Sequence, residues 1–209
     1  MSLSLAIFII VVIIVVGGFA LGTQRNIHRG NAAMAWAQSG LRLVGEKTTV
    51  RWLGSSVVQL KIQNAKRPFR EVEVLFVLEP RDIAPLWFLA RTRGRRDLFI
   101  FRSRMHKLPE FEFETFEPTA WSARGRESQL RSQKWQPVSA RDPLVAYAPE
   151  AATAAHRLLD LAMLSGTPLV RLSIQRADPN FEVHWPLAEL KKLPASTVFE
   201  TLRKLGEQA

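Results

Sequence analysis

The chain contains no cysteine, which excludes a disulfide framework, a thiolate nucleophile, an iron–sulfur cluster and a cysteine-ligated zinc. Histidine is scarce: the four, at positions 28, 106, 156 and 184, are scattered, and no HExxH pair occurs. The eleven glycines never fall into GxGxxG or GxxxxGK[ST], so the dinucleotide fingerprint and the phosphate loop are both missing. A GxSxG nucleophile elbow is missing too. Acidic residues are in deficit, 19 against 29 Lys and Arg, for a net charge of +10.

The residues left for catalysis offer little. His156 and Asp160 have i,i+4 spacing on an expected helix, but without a third ligand they read as a surface hydrogen bond rather than a metal site. His184 alternates with apolar positions and is expected to point outward beside Glu182 as a solvated strand residue. Glu110, Glu112 and Glu114 sit at i,i+2 spacing, about 6.5–7 Å apart along a strand, a separation that hydrolases use. An arginine-bearing strand opposite them would hold those carboxylates ionised. No catalytic residue, cofactor or metal site is therefore assigned. A site assembled from distant positions would be sought at His106 or Lys107, near the long segment 118–149.

What the chain does have is one long apolar run. From Leu3 to Leu21 there is no charged residue, and 14 of the 19 positions are Leu, Ile, Val or Phe. As a helix this segment reaches about 28 Å, close to the roughly 30 Å hydrocarbon core of a bilayer. A cleavable signal peptide is the competing reading, since Ala20 and Gly22 resemble a small-residue cleavage site. Such a peptide usually opens with a basic region and has a shorter apolar core, and no charged side chain occurs in residues 1–5. The expectation is an uncleaved single-pass anchor over residues 1–22. Arg25, Arg29 and Arg42 follow the run and nothing basic precedes it, so the N-terminus is expected outside and the rest in the cytoplasm at the cell (inner) membrane. Gly18 and Gly22 form a small-xxx-small pair suited to transmembrane helix packing.

The charge is concentrated near the anchor: +5 over residues 23–80, +6 over 81–107 and −1 over 108–209. An anionic inner leaflet attracts such a segment at about 1 kcal/mol per well-placed Lys or Arg.

Beyond the anchor, a juxtamembrane basic segment with a short helix (31–41) occupies residues 23–47, and residues 48–209 read as an α+β domain with a mainly antiparallel sheet. Period-two alternation marks strands near 48–53, 57–63 and 70–78, the last with Val72, Val74, Phe76 and Leu78 on one face. Asp82 is a candidate N-cap for a short helix that contains Leu86, Trp87, Phe88 and Leu89 and ends in Arg91, Arg93, Gly94, Arg95 and Arg96. Strands near 97–104 and 110–116 are expected to form a hairpin, with Arg102 and Arg104 opposite Glu112 and Glu114. Residues 118–149 read as a proline-containing excursion pinned by Trp121 and Trp135, with a short helix near 127–133, and form the one candidate internal boundary. A helix from Pro149, a hairpin over 170–185 turning at Asp178–Asn180, and a last helix with a capping box at Thr197 and Glu200 complete the reading.

The expected function is a membrane-anchored, non-catalytic binding, scaffold or accessory module. Trp87, Phe88, Arg91, Arg93, Arg95 and Arg96 are the expected contacts with the bilayer interface and its anionic phospholipid. A protein partner is expected, a homo-oligomer is allowed, and nucleic acid is not expected, because the segment 91–101 departs from the RNP1 pattern and Phe99 and Phe101 are needed in the core. The alternatives are an enzyme acting on a membrane-bound anionic substrate and a tethered nucleic-acid binder.

Overall fold

The computed structural model describes residues 2–150, 155–163 and 166–209, apart from the side chains of Ala155 and His156. It opens with one helix, α1 (Leu3–Leu41), that runs without a break from the apolar segment into the domain. At about 1.5 Å per residue it is about 58 Å long, and the short helix expected at 31–41 is its last third. Neither Gly22 nor Gly30 breaks it, because the helix from Gly22 onward is packed on the sheet, and burial outweighs the cost of a helical glycine, about 1 kcal/mol each. Its domain-facing stripe is Gly22, Asn26, Gly30, Ala33, Ala37, Gly40 and Leu41. By contrast the span before it is exposed: Ile13 is 64% and Ile14 66% accessible. Among the described residues it is the one helix long and apolar enough to cross a membrane, as an anchor or a signal sequence.

Three strands follow, β1 (Lys47–Leu53), β2 (Val57–Gln63) and β3 (Phe69–Val77), then α2 (Ala84–Thr92), β4 (Leu98–Met105) and β5 (Phe113–Phe116). A 3₁₀ turn (Trp121–Ala123), α3 (Arg126–Ser132), β6 (Gln136–Val138) and β7 (Val145–Ala148) make up the excursion. The chain finishes with α4 (Ala155–Ala162), β8 (Arg171–Ile174), β9 (Phe181–Pro186), α5 (Leu187–Leu190) and α6 (Ala195–Gln208). The expected start of this helix, Pro149, lies instead with Glu150 in a bend, and residues 151–154 are outside the described residues. The strands form one antiparallel sheet of order β1-β2-β3-β4-β9-β8-β5-β7-β6, so the fold is α+β.

This order corrects the expected β4–β5 hairpin. β4 pairs with β3 and β9, while β5 lies beyond β8, so Arg102 stands opposite Glu182 and not Glu112 or Glu114. Neighbours in sequence usually pair, but here β9 offers a better match: Phe101 faces Val183 and Phe99 faces Trp185. Two helix starts also differ. Asp82 does not cap α2 but accepts a hydrogen bond from Ser55 Oγ at 2.6 Å, and Ile83 precedes the helix. α6 starts at Ala195 behind Pro194, so Thr197 lies inside its first turn rather than at a capping box.

The sheet is covered on both faces. On the inner face Phe99 is a hub, with ring centroids of Trp36 (α1), Phe76 (β3), Trp185 (β9) and Phe199 (α6) 5.7–6.1 Å away. On the outer face the excursion lies over the middle strands. Ala120 and Trp121 pack on Leu75, Leu98, Ile100 and Val170, and Leu130 and Ala123 pack with Phe116 and Tyr147.

Candidate membrane interface

The end of the sheet nearest the apolar span is built by three elements that meet at one turn of α1. A Cβ on Gly22 would lie 1.9 Å from the carbonyl oxygen of Arg81, so only glycine admits the β3–α2 loop this close. From that loop α2 runs beside the helix, and Ala84 and Trp87 line a cavity with Gly18, Leu21 and Gly22. The turn between β1 and β2 joins through Ser55 and Asp82. Thus α2 sits level with the point where the apolar run ends. Its outward residues are apolar, with Ile83 48%, Leu86 45%, Phe88 68% and Leu89 44% exposed. Gly18, by contrast, has nothing within 4 Å of a built Cβ.

A buried polar knot ties this junction together. Asp97 accepts from the backbone N–H of Glu79 at 2.8 Å, from both terminal nitrogens of Arg81 at 2.9 and 3.0 Å, and from Arg29 of α1 at 3.1 Å. Asn26, fully buried, donates to the carbonyl of Glu79 and accepts from Arg81. The Glu79 carboxylate in turn takes the Trp87 indole N–H and Arg91. Two buried carboxylates are therefore matched by several guanidinium groups, the condition under which buried charge is tolerated.

This divides the expected interface residues. Trp87 and Arg91 turn their polar groups toward Glu79 and hold α2 on the domain. Phe88 projects outward. Arg93, Arg95 and Arg96 follow the helix end and make no ion pair with a carboxylate among the described residues, and Arg124 from the excursion joins them, donating to the carbonyl of Arg93 at 3.1 Å. Arg124 was not singled out by the sequence; it sits in an irregular segment with no periodicity to place it.

The second polar cluster lies on the outer face under the excursion. Glu182 accepts from Arg102 (2.7 Å), Arg171 (2.9 Å) and His184 Nε2 (2.6 Å). Glu114, with a fully buried side chain, takes both arms of Arg126 at 2.6 Å, Arg171 at 3.0 Å and Gln175 at 2.8 Å. The expectation of a solvated His184 is corrected: it is 3% exposed, because the outer face at β9 is covered rather than open. Burial is the main force lowering the His184 pKa, with Arg171 and Arg102 adding to it and Glu182 opposing. Burial pushes the Glu182 carboxyl up, but the His184 hydrogen bond and the charges around it prevail and hold it at about 2. His184 is thus a neutral donor to an ionised carboxylate, and its Nδ1 is buried without a partner.

The remaining candidates are dispersed. His106 and Lys107 line a cavity of about 550 Å³ at the opposite end of the sheet with Arg67, Pro68 and residues 206–209, and no residue of 118–149 lines it. Asp160 lies 3.8 Å from Arg141, while the side chain of His156 is outside the described residues. Among the described residues no group of three or more metal-binding side chains assembles. Compared with known proteins, the chain matches no family model and no curated sequence, so a functional reading rests on these residues.

Proposed function

We propose that the chain is a single-pass membrane-anchored, non-catalytic binding or scaffold module, with its N-terminus outside and its domain seated on the inner leaflet through α2. The observation that carries this reading is the placement of the exposed apolar residues of α2 beside Gly18–Gly22, where the apolar span ends. An amphipathic segment buries its apolar face about 5–10 Å into the headgroup boundary, and α2 is held at that level by the knot around Asp97. The unbroken helix supports retention of the anchor. Cleavage before Thr23 would remove Gly22 and with it the contact that seats Arg81 on α1. Support for a non-catalytic role comes from how the titratable groups are used: Glu114 and Glu182 are saturated by arginines and His184 is sealed from solvent.

Affinity purification of the full chain from solubilised membranes, paired with a screen of the same material for phosphoester, ester, peptide and glycoside hydrolysis, tests this reading. The expected result is a stoichiometric protein partner and no turnover above background. Reproducible turnover that is lost on His106→Ala or His184→Gln would replace the module with an enzyme, and co-purified nucleic acid would replace it with a tethered nucleic-acid binder.

A further inference from the structure

We propose that the membrane-proximal end holds a phosphate seat for anionic phospholipid headgroups, built jointly by Arg93, Arg95 and Arg96 behind α2 and by Arg124 and Trp121 from the excursion. It rests on the docking of this end on the bilayer argued above, and adds to it the ligand chemistry and a second contributing element.

Charge accounting at this end leaves these four arginines, and Arg25 of α1, without a carboxylate partner among the described residues. Arg29 and Arg81 are matched to Asp97, and Arg91 to Glu79. Arg93, Arg95, Arg96 and Arg124 have no carboxylate partner among the described residues, although Arg124 is drawn against Arg93 by a 3.1 Å hydrogen bond to its carbonyl. Clustered guanidinium groups repel one another, and an anion placed among them relieves that repulsion. The group is held in place rather than trailing. Gly94, at φ +80°, ends α2 with Gly94 N–H on the Arg91 carbonyl and Arg95 N–H on the Ala90 carbonyl, the paired bonds of a Schellman motif. Arg96 donates to the carbonyls of Arg91 and Arg95 at 2.9 and 2.7 Å, and the Arg95 guanidinium lies over the Trp121 ring at 4.7 Å. Such ordering lowers the entropy lost on binding.

Two donors also lack acceptors. Arg95 Nε and Trp121 Nε1 are buried and unpartnered, an arrangement that costs about 1–3 kcal/mol for each such group. Phosphate oxygens are acceptors only and match guanidinium geometry. The source of the phosphate is set by what surrounds it. Phe88, Ile83, Leu86 and Leu89 expose apolar surface on the same short segment, and the apolar span of α1 ends beside them. The Trp121 ring, which would stack on a nucleobase, is occupied by Arg95. A lipid supplies both the phosphate and the apolar surroundings, and a nucleic acid supplies only the first.

The test uses the full chain in neutral detergent, titrated with dihexanoyl phosphatidylglycerol, with dihexanoyl phosphatidylcholine, with inorganic phosphate and with a single-stranded oligonucleotide. Phosphatidylglycerol is expected to bind saturably and about tenfold or more tighter than phosphatidylcholine or phosphate. Arg124→Gln should weaken it about fivefold, one arginine's contribution, and Arg93→Gln, Arg95→Gln, Arg96→Gln and Arg124→Gln together should abolish the preference. An Arg124→Gln variant that binds phosphatidylglycerol like the unaltered chain overturns the jointly built seat, and equal or tighter binding of the oligonucleotide or of phosphate alone overturns the lipid assignment. Because the chain has no cysteine, Phe88→Cys admits a single fluorophore that reports docking separately. In reconstituted vesicles that fluorophore should be shielded from a water-soluble quencher. Full quenching there overturns the docking on which the seat rests, whatever the titrations give, while shielding with no lipid preference overturns the seat alone.

Discussion

His184 and Glu182 sit two residues apart on the same face of β9, and their placement has a consequence for stability. Both native pKa values are depressed, so each contributes stability that is complete above its unfolded value and is lost as pH falls. For His184 the loss begins below its ordinary value of 6.5, where the unfolded chain takes up a proton that the buried imidazole resists. For Glu182 it begins below 4.5 and continues toward about 2. The unfolding midpoint of the full chain in detergent should therefore fall in two steps on acidification, the first setting in below pH 6.5 and the second below pH 4.5. His184→Gln, which keeps a donor toward Glu182, should flatten the first step and leave the second. Stability that is level from pH 7 to 5 in the unaltered chain, or a first step that survives His184→Gln, would show that the imidazole is not buried neutral.

At the scale of elements, α1 acts as one rigid rod whose apolar half and domain-bound half are mechanically the same object. The contact that fixes it is the bare backbone of Gly22 against Arg81. Gly22→Leu must push the β3–α2 loop away and strain the hydrogen bonds from Asn26 and Arg29, a steric insertion that costs about 1–3 kcal/mol. Thermal unfolding in detergent should show a lowered midpoint for Gly22→Leu and none for Gly18→Leu, whose built Cβ meets nothing within 4 Å. Equal midpoints for the two variants would mean that the rod and the loop are not in contact. The sequence made α1's apolar half, β2, β3 and the β8–β9 hairpin legible, because Val58, Leu60 and Ile62 or Val170, Leu172 and Ile174 alternate at period two against polar neighbours. It did not reveal that β4 pairs with β9, since register between strands some eighty residues apart depends on complementary surfaces such as Phe99 against Trp185. Three-residue β6 and four-residue β7 are too short to show a period. Alternation also gives the face of a residue but not its cover, which is why His184 read as solvated. Within the candidate interface, Phe88 and the arginines after it were visible as a local cluster, whereas Arg124 reaches it only through the packing of Trp121 and Ala120 on the outer face.

For the whole molecule the decisive quantity is where the charge lies relative to the apolar span. Folding gathers Arg25 and Arg29 of α1, Arg91, Arg93, Arg95 and Arg96 around α2, and Arg124 at one end of the sheet, beside the end of the apolar span. At the opposite end Arg104 meets Glu71 and Asp178, and Arg203 meets Glu207. Under the proposed reading, retention of positive charge on the cytoplasmic side orients the chain with its N-terminus outside, and the unbroken α1 keeps the domain beside the leaflet that holds Arg25 and Arg29. A C-terminal fusion to a reporter active only outside the cytoplasm should stay silent, a cytoplasmic reporter at the same position should be active, and the mature chain should retain residues 1–22. A bright external reporter would reverse the orientation, and a mature chain beginning near Thr23 would make the apolar segment a cleaved signal. Moving the excess by adding three lysines before Leu3 while changing Arg25 and Arg29 to Gln should shift the fusion toward the external signal, because the charge difference across the span, rather than the domain behind it, sets the direction of insertion.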